Sequence, residues 1–270
     1  MAASAERQRV AGAARAAGAA TSRRVGVVLL AAGAAVAASG CVSTQQKNAR
    51  AQLSATRELS SREPQRVRGA QPGVRVARVA VVRGRRFDAL VVELRSRART
   101  PLTDVPIAVG VRTRDGRRVL LNGRRHAWFQ THVPALPAGG NTTWVFTAGR
   151  RGVPAGRPFA VVGATPRTPI SKASSLPRIV VAPARDGGDG GGARGARSSV
   201  ARVVVANASD VPQRDVQVYA LVRDRHRYVA AGKAAVAELG AGDETAVRIP
   251  LSGPAPRRTA TVHALPTIFE

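Results

Sequence analysis

The chain has 270 residues, 44% of them apolar but only 3% aromatic, with one cysteine and a formal net charge of +27. That length admits two small domains. The composition excludes an intrachain disulfide and a core built mainly on rings, so Val, Leu, Ile and Ala must fill the interior.

Near the start, Ser22-Arg23-Arg24 precedes the apolar run Val25 to Ala38, which ends in Ser39-Gly40-Cys41. A positive flank, a short apolar run and small residues at the cut are the layout of an export signal. The segment resembles a bacterial lipoprotein signal, in which Cys41 would receive a diacylglyceryl group. Residues 1–41 are therefore expected to be an export signal with a lipobox-like cysteine, and the rest of the chain to be extracytoplasmic and anchored to the cell membrane. Counted through Val42, the run is 18 residues long. That length leaves an uncleaved anchor or ordinary secretion open. The paired arginines leave both the general secretory and the twin-arginine routes open.

Residues 42–73 hold few large apolar residues and many Ser, Gln and Arg, with at most a turn or two of helix around Ala49 to Leu59. They read as a flexible stalk. From Val74 the pattern changes to period two. Leu90, Val92 and Leu94 alternate with other residues, as do Val105, Ile107, Val109 and Val111, which predicts half-buried strands. Asp115-Gly116 predicts a hairpin turn into Val119-Leu120-Leu121. Leu136 to Gly140 is a turn before a strand over Thr143 to Thr147, and Phe159 to Ala164 is one more strand.

The same design returns in the second half. Pro101 to Asp104 matches Pro212 to Asp215, and Ile107, Val109 and Val111 fall on Val218, Ala220 and Val222, an offset of 111 residues. Leu136 to Gly139 matches Leu239 to Gly242 at an offset of 103, and Ala160, Val162 and Ala164 match Ala260, Val262 and Ala264 at 100. An internal repeat of this length predicts an all-β chain with two tandem immunoglobulin-like β-sandwiches, over 74–165 and 178–270, joined by a proline-bearing linker at 166–177. Gly187 to Gly192 reads as a hairpin tip within the second copy.

Each copy resembles the bacterial FxLYD and cell-adhesion-related (CARDB) immunoglobulin-like domains. The residues that carry the resemblance are Asn207-Ala208-Ser209, Pro212 to Asp215, Asp224 and the Leu239 to Gly242 turn. The first copy has Pro101, Asp104, Asp115 and the Leu136 to Gly139 turn, with Ser96 where the second has Asn207. The resemblance implies non-catalytic adhesion, binding or spacer modules with no common ligand.

Little in the chain points to catalysis, and no enzyme, cofactor or metal is expected. Gly190 to Gly195 fits G-x-G-x-x-G but lies in glycine-rich sequence with no helix-forming run behind it. His126 and His132 flank Trp128-Phe129 without a nearby carboxylate or cysteine, and His226 and His263 are isolated in strand patterns. Asp104 and Asp215 suit turn hydrogen bonding.

Charge is the stronger signal. Of 43 basic residues 40 are arginine, and only Lys47, Lys172 and Lys233 are lysine, the bias of a GC-rich genome such as an actinobacterial one. Codon bias and a polyanion-binding surface both account for it. Residues 74–165 carry 17 basic and 4 acidic groups, whereas 178–270 carry 13 and 9. Arg95, Arg97 and Arg99 alternate, as do Arg112 and Arg114, and Arg124, Arg125 and Trp128 follow. Together they are the candidate polyanion-binding face; the alternative is that Trp128 and Trp144 are core residues and the arginines are solvated. Tyr219 and Leu221 fall on the face opposite Val218, Ala220 and Val222 and are the candidate partner face, packed on the other copy or on a separate protein. The expected partners are the membrane, through lipid on Cys41, and anionic envelope polymers or another envelope protein, the latter with this chain as accessory subunit of an enzyme or transporter. Nucleic acid is not expected.

Overall fold

Period-two apolar patterns bury one side of a strand, and a strand buried on both sides needs a neighbour on each. That constraint organises this chain. A computed structural model describes residues 44–62, 67, 69–123, 125–149, 152–165, 175–184, 200–254 and 260–269. Cys41, Arg124, the Gly187 to Gly192 tip and most of the expected linker lie outside the described residues. Residues 42–270 form one compact unit.

Among the described residues the fold is all-β apart from one helix and one 3-10 turn. Helix α1 (Thr44–Arg62) precedes the strands. The first half has β1 (Val74–Val82), β2 (Asp88–Ser96), β3 (Leu102–Arg112), β4 (Arg118–Leu120), β5 (His132–Leu136), β6 (Asn141–Ala148) and β7 (Arg157–Val162). The second has β8 (Ile179–Pro183), β9 (Val200–Asn207), β10 (Gln213–Asp224), β11 (Arg227–Leu239), β12 (Glu244–Ser252) and β13 (Thr261–Leu265).

The two halves share one topology. In the first, β1–β2–β6 form one sheet, and β3 carries β7 on one edge and β4 and β5 on the other. In the second, β8–β9–β12 and β13–β10–β11 repeat that order. There the two sheets are continuous, because Ala231 and Gly232 of β11 also pair with Ser252 and Leu251 of β12. The halves differ at one edge. Strand β11 pairs along the whole of β10, whereas its counterpart is broken into β4 and β5 by residues 121–131. Asn122 mends that gap. Its Oδ1 accepts the Val109 N–H at 2.8 Å, and its Nδ2 donates to the carbonyls of Ile107 and Gln130 at 2.8 and 2.9 Å.

The halves stack face to face. Cross-strand partners share a face, so Ala80, Val91 and Val145 line the outer side of the β1–β2–β6 sheet. Against them lie Tyr219, Leu221 and Ala231 of β10 and β11, and all belong to one buried cluster with the first half's core. A second cluster, including Val205, Val218 and Ile249, fills the second half. Polar ties cross the junction. Glu93 accepts from Arg223 at 2.5 Å and from the Tyr228 hydroxyl at 2.6 Å. His263 Nε2 donates to the Thr143 carbonyl at 2.7 Å, and Ser252 Oγ lies within hydrogen-bond reach of the Val82 and Phe87 carbonyls. The chain also runs close at Gly84, where a Cβ would stand 2.5 Å from Ser252 Oγ and 3.1 Å from the Gly253 nitrogen of the other half.

One expectation is corrected: residues 42–73 are not simply a flexible stalk, since 44–62 are helical. Of the two alternatives for Tyr219 and Leu221, packing on the other copy is the one observed: they are 0% and 6% exposed, with the first half and not a separate protein covering them. Both sheets had an apolar outer side, and each buries the other.

This packing makes unfolding of the two halves one event. Leu221→Ala should lower stability by about 3 kcal/mol, the usual range for a truncated buried leucine, within a single urea transition. Two separate transitions in the wild type, or an unaffected first half in hydrogen exchange of the variant, would contradict the stacking.

Candidate functional site

The Pro-x-x-Asp step puts an aspartate near the start of the long strand in each half, and the structure gives both an uncommon backbone. Asp104 has φ 50° and Asp215 φ 53°, the left-handed region that residues other than glycine seldom occupy. Their surroundings differ. Asp104 is 2% exposed, and its carboxylate accepts from Arg57 Nε and Nη2, both at 3.1 Å, and from Trp128 Nε1 at 3.0 Å. Asp215 is exposed.

Arg57 comes from α1, so this fork ties the helix to the first half. The guanidinium also lies 5.4 Å from the Phe129 ring centre, a cation–π distance. The rest of α1 offers little apolar surface, and Leu59 is 64% exposed. Docking therefore rests mainly on Arg57. Trp128 begins a 3-10 turn (Trp128–Gln130) and stacks flat on His132, with ring centres 3.5 Å apart. Burial pushes the His132 imidazole down to about 4, against an opposing hydrogen bond to the Trp128 carbonyl and the Asp104 charge. His132 is thus neutral near pH 7 and acts as packing.

The arginines expected on one face are divided. Arg95 ends β2 beside Arg75 of β1, and Arg97 and Arg99 lie in the turn to β3. Arg112 and Arg114 are at the other end of β3, an 11-residue strand spanning about 33 Å. Arg125 is exposed in the 121–127 segment. Trp128 leaves the candidate polyanion-binding face for the core, the alternative reading of it: it is 8% exposed, and its indole N–H is held inward by Asp104. The Arg112 end gathers arginines that spacing alone did not reveal. Arg118 and Arg157 are the cross-strand partners of Arg112 on its two sides, so three exposed guanidinium side chains stand in one row. None of the three is ion-paired among the described residues. Arg118 lies over Phe159 at 5.6 Å. Arg85 and Arg86 are exposed in the β1–β2 turn at the same end. Asp88 there is held below the usual carboxylate range: burial pushes it up, but N–H groups of Val153 and Gly84 and the Arg83 guanidinium outweigh that.

A cleft of about 650 Å³ opens where α1, residues 127–130 and strands β10–β11 meet. Arg57, Phe129, Asp215, Lys233 and Ile268 are among its lining. Arg57 and Lys233 carried no signal in the sequence beyond Lys233 being a lysine inside an apolar strand of an arginine-rich chain. Among the described residues, no three His, Cys, Asp or Glu side chains are grouped to hold a metal ion, and no helix is long and apolar enough to cross a membrane. In comparisons with known proteins, no family model and no curated protein matches the chain.

Arg57→Ala should release α1 and strand the Asp104 carboxylate in the interior, costing about 3 kcal/mol. Limited proteolysis should then cut within 44–62 faster than in the wild type while the strands stay protected. Equal cleavage rates would show that something other than this ion pair docks the helix.

Proposed function

We propose that the chain is a lipid-anchored protein of the cell envelope whose two immunoglobulin-like sandwiches are non-catalytic binding or spacer modules. The observation that carries this reading is the face-to-face stack. It joins two repeats into one block with little freedom between them, which suits a part that holds a fixed separation or presents a fixed surface. The polar groups at the junction, Glu93, Arg223, Tyr228 and His263, are engaged in holding it together. The resemblance to FxLYD and CARDB domains agrees with this role. Thr44, where α1 begins, follows Cys41 by three residues, so lipid on that cysteine would hold the block near the membrane through α1. Each buried methylene of the acyl chains contributes ~0.8 kcal/mol of membrane affinity.

Intact mass and membrane partition of protein made in a bacterial host test the anchor. The wild type should begin at Cys41 with a diacylglyceryl mass and sediment with membranes, and Cys41→Ala should do neither. An intact N-terminus, or a cut without lipid in the wild type, removes the lipid anchor from this reading.

One observation favours a second reading, a polyanion-binding surface. Like charges directly opposite one another on a sheet are destabilising, yet Arg118, Arg112 and Arg157 stand in such a row with no ion pair among the described residues. A phosphate-rich envelope polymer would neutralise them. Changing these three to Gln should flatten the log–log salt dependence of long-chain polyphosphate binding by about 2–3. The same change at Arg75, Arg95 and Arg97 should have less effect. Equal effects of the two triple variants would mean that only total charge matters.

A further inference from the structure

We propose that the cleft between α1, residues 127–130 and strands β10–β11 binds a small molecule with one carboxylate and an apolar body, and that Lys233 receives the carboxylate. The volume of about 650 Å³ lies within the range of small-molecule sites. Phe129, Ala234 and Ile268 give the cleft apolar walls. Three cations line it, and two are already engaged: Arg57 by Asp104 at 3.1 Å and Arg214 by Glu238 at 2.9 Å. Lys233 is the third. Among the described residues it has no hydrogen bond or ion pair.

Its position leaves it open to the cleft. Lys233 is the cross-strand partner of Tyr219, which in turn pairs with His263, so the three form a row on the face that packs against the first half. Tyr219 is completely buried and its hydroxyl lacks a partner, whereas Lys233 is half-buried and lines the cleft. A carboxylate there would meet a cation that has no anion of its own among the described residues. Burial pushes the Lys233 ammonium down to about 8, so it is still largely protonated at neutral pH. The acids around the cleft limit the ligand. Asp215 is exposed on its wall, and Glu58, engaged in an interaction of its own, lines the α1 side. Their negative charge repels a phosphate or a polyanion more strongly than a monocarboxylate. This inference does not depend on the lipid anchor.

Calorimetric titration of the full chain with benzoate and with hexanoate, against benzyl alcohol and inorganic phosphate, tests it. The carboxylates should bind saturably and the alcohol at least about tenfold more weakly. Lys233→Met, of similar length, should weaken the carboxylates by about tenfold or more while keeping the unfolding midpoint. A measurement on the unaltered protein guards against a variant that misfolds: benzoate should protect Lys233 from acetic anhydride but leave the exposed Lys47 reactive. Absence of saturable carboxylate binding at about 10 mM, equal binding by the alcohol, tighter binding of phosphate, or unprotected Lys233 would each overturn the assignment.

Discussion

The burial of two apolar sheet faces against each other is the constraint from which the rest of this structure follows. Strand β2 is buried on both sides from Asp88 to Val92, because the first half's core covers one and β10–β11 the other. Once the faces meet, a polar group caught between them costs free energy unless it finds a partner; most do, and the Tyr219 hydroxyl does not. Glu93 would be an uncompensated charge without Arg223 and Tyr228. His263 is held below its usual range by burial and donates to a backbone carbonyl of the opposite half. Burying a charge without such partners would offset much of what the apolar contacts contribute.

The second organising contact is the fork between Arg57 and Asp104. Helix α1 is polar along most of its length, so burial cannot hold it as burial holds the strands. A buried carboxylate in a left-handed backbone position can, since it offers two acceptor oxygens in fixed geometry to one guanidinium. The equivalent Asp215 has the same backbone and no such cover. One copy of the motif thus anchors the helix, and the other faces the cleft that the helix helps to enclose.

The asymmetry between the repeats matters as much as their likeness. Residues 121–131 break the edge strand of the first half and supply Asn122, Trp128 and Phe129. Asn122 restores the lost backbone pairing, Trp128 closes on Asp104, and Phe129 is left as a wall of the cleft. In the second half the edge strand is unbroken and carries Lys233. The cleft therefore arises where an insertion in one copy meets an intact strand in the other.

Strand periodicity, the Asp115-Gly116 hairpin and the offset repeat were legible in the sequence because they are local: alternation decides which side of a strand is apolar, and turn residues decide where it reverses. The sequence by itself therefore determined an all-β chain built on a repeated pattern, with Asp104 and Asp215 in equivalent places. Only the tertiary structure decided what covers each apolar side, and so chose the other copy over a separate protein as the cover of Tyr219 and Leu221. It also decided that Trp128 points inward and that Arg97 and Arg112 lie at opposite ends of one strand. Arg57 and Asp104 are 47 residues apart, and nothing in the spacing of a polar segment marks which of its arginines meets a buried carboxylate. Period-two patterning reports a side chain's face, whereas its neighbour depends on how distant segments pack.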